Sequence, residues 1–112
     1  MNYTLQFVRP LERQKLVNKI YKLLNKNGIF IICEKILSKH SVFNRQFIDI
    51  YHNYKMRQGY SNTEIQKKRE ALENILVPFK LEENMLMLKN AGFKENEIFF
   101  KWFNWLGIIS RK

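Results

Sequence analysis

Cysteine is almost absent from this sequence, and long hydrophobic runs are absent altogether. Cys33 is the only cysteine, which excludes an intrachain disulfide and favours a reducing compartment. The longest unbroken apolar stretches, such as residues 29–33, are far too short to span a bilayer. The N-terminus also lacks the basic region, apolar core and small-residue cleavage site of a signal peptide. These absences predict a cytoplasmic protein that has no membrane partner.

Acidic residues are few relative to basic ones. The chain has 10 Asp and Glu against 20 Lys and Arg, which gives a net charge of +10. Such a balance is typical of proteins that contact nucleic acid or anionic membranes. The basic residues are scattered over separate segments, however, and Lys, Asn and Ile are all overused, as an AT-rich coding sequence would produce. Direct nucleic-acid binding is therefore not expected, and a small basic RNA-binding protein without catalysis stays as an alternative.

The spacing of apolar residues in the first half of the chain predicts one half of a βαβ unit. Helical spacing of apolar residues runs from about Leu11 to Lys26, with Pro10 at the helix start and Asn27-Gly28 as its stop. The continuous apolar run of residues 29–33 follows at once. A strand that is apolar on both faces is typical of a parallel sheet covered by helices. With 112 residues and 46% apolar residues, the chain is long enough for one α/β domain core.

Further elements follow the predicted strand. Helices are expected over residues 42–58, over residues 62–76 behind a Ser61–Glu64 capping box, and over residues 81–90, where Ala91-Gly92 ends the helix. Residues 98–103 and 106–110 predict an antiparallel hairpin at the sheet edge, with its turn near Asn104-Trp105. Near the N-terminus, apolar and polar side chains alternate over residues 3–7, and this pattern alone suggests a short strand.

Few residues point to chemistry. The sequence has no glycine-rich phosphate loop and no paired metal-ligand spacing, so no metal site is expected and the catalytic residues stay unknown. A buried, inert Cys33 and a hydrogen-bonded core or interface His52 are the favoured interpretations of those two residues. Glu34 and Lys35 follow the predicted strand at its carboxyl end, where ligands gather in open α/β sheets, although a surface salt bridge explains them equally well.

Arg69 is placed two turns into the helix that the capping box opens. A guanidinium held on a rigid helix can bind a carboxylate through two parallel hydrogen bonds, which lysine cannot do. From its spacing alone, a solvent-exposed basic residue remains the favoured interpretation.

Many short segments resemble one enzyme family in register and without gaps. The chain is similar to the C-terminal half of the carboxy-S-adenosyl-L-methionine synthases, which are relatives of the S-adenosyl-L-methionine (SAM)-dependent methyltransferases. The segments that carry this resemblance are Asn2-Tyr3-Thr4-Leu5-Gln6-Phe7, Glu12-Arg13-Gln14, Glu34-Lys35, Gly59-Tyr60-Ser61, Glu64-Ile65, Lys68-Arg69, Leu72-Glu73-Asn74, Ala91-Gly92-Phe93 and Phe103-Asn104.

The resemblance implies a Rossmann-like class I methyltransferase fold whose last strand is antiparallel. It also implies a reaction in which SAM and prephenate yield carboxy-S-adenosyl-L-methionine, which a partner enzyme then uses to modify the wobble uridine of tRNA. Full-length members are expected to be homodimers. Asn2 is expected to contact the cofactor and Arg69 to bind its added carboxylate. Asn2 would end a strand, and residues 3–7 would be the connection after it.

The family's glycine-rich turn and its ribose- and adenine-binding residues all precede the position of Asn2. The sequence is therefore expected to form a single partial domain over residues 1–112, without the N-terminal cofactor-binding half, and to be inactive alone. A fragment of an ordinary SAM-dependent methyltransferase is the alternative within the same fold. Arg69 separates the two, because a plain methyl donor has no extra carboxylate to bind.

Overall fold

A four-stranded mixed sheet organises the chain. The computed structural model describes all of residues 1–112. Its elements are a 3₁₀ turn over Leu5–Phe7, α1 (Pro10–Leu23), β1 (Ile29–Leu37), α2 (Ser41–Arg57), α3 (Asn62–Leu72), β2 (Phe79–Lys80), α4 (Leu81–Ala91), β3 (Glu95–Trp102) and β4 (Trp105–Arg111). None of the helices combines the length and the apolar character that a membrane span needs.

The strand order of the sheet is β2-β1-β4-β3. β1 pairs antiparallel with β4 from Ile29 opposite Arg111 to Lys35 opposite Trp105, and parallel with the two-residue β2. β3 and β4 form an antiparallel hairpin at the edge of the sheet. The predicted α/β class and the terminal hairpin are therefore confirmed, whereas the short β2 was not predicted.

The core lies on one face of the sheet, between the strands and the helices α1 and α4. Its members are Leu5, Val17, Phe30, Ile32, Ile36, Met87, Leu88, Phe93, Leu106 and Ile108. On the opposite face, the Ile29 and Ile31 side chains are 55% and 42% exposed. The prediction that β1 is buried on both faces is wrong for this chain, because no helix covers that second face at Ile29 and Ile31.

Two helices end earlier than their patterns predicted. α1 stops at Leu23 because Leu24 is extended, and Asn27 rather than Gly28 takes the left-handed conformation, with φ 64°. α3 stops at Leu72, and Asn74 adopts a left-handed conformation with φ 62° soon afterwards. The end of α4 is as predicted: Gly92 is left-handed, with φ 115°, and an added Cβ would lie only 2.8 Å from Cζ of Tyr21.

Residues 3–7 form a connection rather than the short strand that their alternation suggested. Leu5–Phe7 makes a 3₁₀ turn whose Leu5 and Gln6 are buried. Just before it, Asn2 makes an isolated parallel bridge to Cys33 of β1. The connection expected from the family resemblance is thus confirmed.

α2 and α3 extend from the sheet as an arm, and the molecule measures 47 × 25 × 24 Å along its principal axes. None of the 17 residues of α2 is buried. The helix contacts the β3–β4 hairpin mainly through aromatic pairs, such as Tyr51 with Trp105 at 5.2 Å between ring centroids and Phe47 with Phe103 at 5.3 Å. These contacts place α2 beside the carboxyl end of β1.

Candidate functional site

Main-chain hydrogen bonds hold Asn2 beside the middle of β1. The Cys33 N–H donates to the Met1 carbonyl at 3.0 Å, and the Tyr3 N–H donates to the Cys33 carbonyl at 2.7 Å. The Thr4 hydroxyl then donates to the Asn2 carbonyl at 2.8 Å. The backbone on both sides of Asn2 is therefore fixed relative to the strand, while its side chain makes no hydrogen bond.

Glu34 is a buried carboxylate that anchors the connection after Asn2. One of its oxygens accepts the N–H groups of Thr4 and Leu5 at 3.2 and 3.0 Å, and the other accepts that of Gln6 at 3.1 Å. Burial raises the pKa of the Glu34 carboxyl, and the three N–H bonds act in the opposite direction. The surface salt bridge considered for Glu34 and Lys35 is wrong, since neither residue forms an ion pair.

Arg13 of α1 packs against the same connection, and its side chain is only 2% exposed. Its Nε donates to the Val8 carbonyl at 2.9 Å, and its Nη2 donates to the carbonyls of Gln6 and Val77 at 3.0 and 2.6 Å. The guanidinium also stacks over the Phe79 ring, 4.2 Å from its centroid. Arg13 thereby joins the connection after Asn2 to the segment that follows α3.

The role of Arg13 was not recognised from the sequence. The signal that could have found it was Glu12-Arg13-Gln14, one of the segments that carry the family resemblance. Only the tertiary contacts show that its side chain is buried.

The buried carboxyl of Glu34 should make stability fall as pH rises. Because burial raises its pKa in the folded state, the folded chain binds this proton more tightly than the unfolded chain does. We expect the free energy of unfolding of the native chain, relative to Glu34→Gln, to decrease between about pH 4 and about pH 7. Urea titrations across this range measure it, with Glu82→Gln on the exposed side of α4 as the matched control. A difference that grows with pH would show that the three N–H bonds outweigh burial.

An aromatic pocket of about 440 Å³ lies between α2, the hairpin and the connection. Six aromatic side chains line it: Tyr3, Tyr51, Tyr54, Phe100, Trp102 and Trp105. Several of these rings meet edge to face, as Tyr3 and Trp105 do at 5.0 Å between centroids. Pockets of this size and character commonly bind small molecules.

Cationic side chains gather at this aromatic pocket. Lys55 Nζ lies 4.5 Å from the centroid of the Tyr51 ring, and Lys35 Nζ lies 5.8 Å from the same centroid. Burial lowers the pKa of Lys35, and the nearby charges of Lys55 and Arg69 lower it further. The pKa of Lys55 is lowered by burial and then by Lys68 and Arg69. Arg69 therefore lies close enough to act electrostatically on both lysines.

Neither Asn2 nor Arg69, the two residues predicted to bind the cofactor, is among the residues that line this pocket. Asn2 directly precedes Tyr3 of the pocket wall, and Arg69 lies on the exposed surface of α3. No hydrogen bond joins them. His52 is hydrogen-bonded to Asn62 at 2.7 Å, and Cys33 is half-buried in β1. No group of three or more His, Cys, Asp or Glu side chains is placed to hold a metal ion.

Curated relatives match the amino-acid sequence of this chain at high identity. A carboxy-S-adenosyl-L-methionine synthase of Nautilia profundicola is 52% identical over 111 residues, which are 99% of this chain and 47% of the relative. One of Helicobacter hepaticus is 54% identical over 111 residues, and one of Methylococcus capsulatus is 53% identical over 112. The chain is homologous to carboxy-S-adenosyl-L-methionine synthases. It spans about half the length of the curated relatives it matches.

The fold is also found among solved structures. The structure of PigF with SAH matches 99% of this chain with a TM-score of 0.61, at 16% sequence identity and over 29% of that protein. A likeness at this identity supports the α/β fold predicted from the sequence. A scan against protein-family models finds no match.

Proposed function

We propose that the chain forms the carboxylate-binding part of a carboxy-S-adenosyl-L-methionine synthase. The observation that carries this proposal is the cluster of Lys35, Lys55 and Arg69 at an aromatic pocket beside Asn2. Cations without acidic partners suit a cofactor that differs from SAM by an added carboxylate. When bound, that cofactor supplies an activated sulfonium group, while Asn2 contacts it and Arg69 holds its carboxylate.

The complete enzyme would use SAM and prephenate to make carboxy-S-adenosyl-L-methionine. The aromatic pocket offers the ring of prephenate an apolar wall, and the lysines offer its carboxylates positive charge. In this proposal the full-length enzyme is a cytoplasmic homodimer. A partner enzyme uses the product on the wobble uridine of tRNA, so this chain itself does not contact the nucleic acid.

In this proposal residues 1–112 form a partial domain. The chain contains no glycine-rich loop for the cofactor, and its pocket and cationic cluster account for one side of a SAM site only. It is therefore expected to have no activity when it is isolated, and to act together with a glycine-loop half of the kind that begins a Rossmann-like domain.

Calorimetry can test whether this chain needs the glycine-loop half to bind SAM. The isolated chain should not bind SAM with micromolar affinity, which would require about −8 kcal/mol from Asn2 and Arg69 alone. A hybrid should bind it: in the Nautilia profundicola synthase, this chain would replace the part that it matches. The hybrid should also form carboxy-S-adenosyl-L-methionine from SAM and prephenate. Micromolar SAM binding by the isolated chain, or a folded hybrid that binds no SAM, would contradict the proposal.

A further inference from the structure

We propose that Lys35 and Lys55 together bind the carboxylate of a ring-bearing ligand whose ring lies in the aromatic pocket. They would make the pocket selective for an anion over a neutral ring of the same shape. The assignment deepens the proposed function and depends on it for the physiological ligand, but not for the binding itself.

The two ammonium groups converge on one ring of the pocket wall. Lys35 extends from the carboxyl end of β1 and Lys55 from the last turns of α2, and both lie over Tyr51, at 5.8 and 4.5 Å from its centroid. Two separate elements thus bring positive charge to the same ring of the pocket wall. An anion between them would contact both ammonium groups while its ring stacks on the aromatic side chains.

No acidic residue neutralises these lysines. The structure contains two salt bridges, Glu12 with Lys15 and Glu95 with Arg111, and both are on exposed surfaces away from the pocket. Like charges held close together in a half-buried place destabilise the empty protein, and a bound anion removes that repulsion.

The aromatic wall sets the ring specificity and also supplies a reporter. Trp102 and Trp105 both line the pocket, and they are the 2 tryptophans of the sequence. Tryptophan fluorescence of the native chain therefore reports on this pocket alone. No labelled ligand and no cofactor are needed.

The experiment compares phenylacetate with phenylacetamide, which has the same ring but no charge. Each is titrated into the native chain without SAM, and tryptophan fluorescence is followed. We expect phenylacetate to bind about tenfold more tightly, and the preference to shrink as salt is added. Lys35→Met and Lys55→Met should each remove most of the preference and leave phenylacetamide binding unchanged. Lys35→Arg should retain it.

Lys19→Met, on the exposed side of α1, is the matched control, since it removes the same charge far from the pocket. It should leave the preference unchanged. The inference is overturned if the native chain binds both compounds equally. It is also overturned if Lys19→Met acts like Lys35→Met, or if Lys35→Met weakens both compounds alike. Should Lys35→Met not fold, Lys55→Met and the native preference decide the result.

This outcome is separable from that of the proposed function. A hybrid synthase that binds no SAM would contradict the proposed function and leave the anion preference intact. Loss of the anion preference, with SAM still bound by the hybrid, would overturn only the assignment of Lys35 and Lys55.

Discussion

Arg13→Ala is expected to lower the free energy of unfolding by more than about 3 kcal/mol, which is a large fraction of the stability of a small domain. The guanidinium donates to the carbonyls of Gln6, Val8 and Val77, and alanine supplies none of these hydrogen bonds. A buried carbonyl that loses its donor costs about 1–3 kcal/mol. The cavity left beside the Phe79 ring adds to that cost.

Urea denaturation followed by circular dichroism measures this effect. Arg9→Ala is the matched control, because Arg9 is exposed one helical turn earlier and its side chain caps nothing. It should change the free energy of unfolding by about 0.5 kcal/mol or less. Arg13→Lys should recover little, since a single ammonium group cannot reach three carbonyls. Equal midpoints of urea denaturation for Arg13→Ala and Arg9→Ala would show that the buried hydrogen bonds of Arg13 do not stabilise the fold.

Arg69→Ala, made in the hybrid synthase, is expected to weaken binding of carboxy-S-adenosyl-L-methionine about a hundredfold and to leave SAM binding nearly unchanged. A bidentate, desolvated pair between a guanidinium and a carboxylate is worth ~3 kcal/mol, which corresponds to that factor. SAM has no such carboxylate. The difference between the effects on the two cofactors, more than the size of either effect, identifies the role of Arg69.

Calorimetric titration with both cofactors measures the effect. Arg69→Lys should rescue little, and Lys67→Ala on the exposed side of the same helix is the control. For a basic residue in solvent, the change would cost only ~0–1 kcal/mol. Equal losses for both cofactors would mean that Arg69 supports the fold. If neither affinity changed, Arg69 would be a surface charge, and an ordinary SAM-dependent methyltransferase would account for the site as well.

Local signals in the sequence were enough to predict much of the fold. The capping box of α3 forms as predicted, with the Glu64 N–H donating to the Ser61 hydroxyl at 3.2 Å. Gly92 ends α4, and the β3–β4 hairpin lies at the sheet edge. Each of these features depends on residues within a few positions of one another, so their physical causes can be identified in a short window of sequence.

The features that sequence reasoning missed depend on distant contacts. A surface salt bridge was one interpretation of Glu34, and no role was predicted for Arg13, yet their partners lie 28 to 30 and up to 64 residues away. The exposure of Ile29 and Ile31 likewise depends on which helices cover the sheet, which an apolar run cannot specify. Lys35 and Lys55 come from different elements, so their convergence on Tyr51 could not be predicted from spacing.

None of the residues of α2 is buried, so the pocket depends on how firmly this helix packs against the rest of the domain. Elements that bury little apolar surface open locally at a small free-energy cost, without unfolding of the rest of the domain. Tyr51, Tyr54 and Lys55 all belong to α2, so each such opening dismantles the pocket. The apparent affinity for a ligand is then the intrinsic affinity multiplied by the fraction of molecules in which α2 is docked. Substitutions on α2 that never touch the ligand would therefore tune its binding.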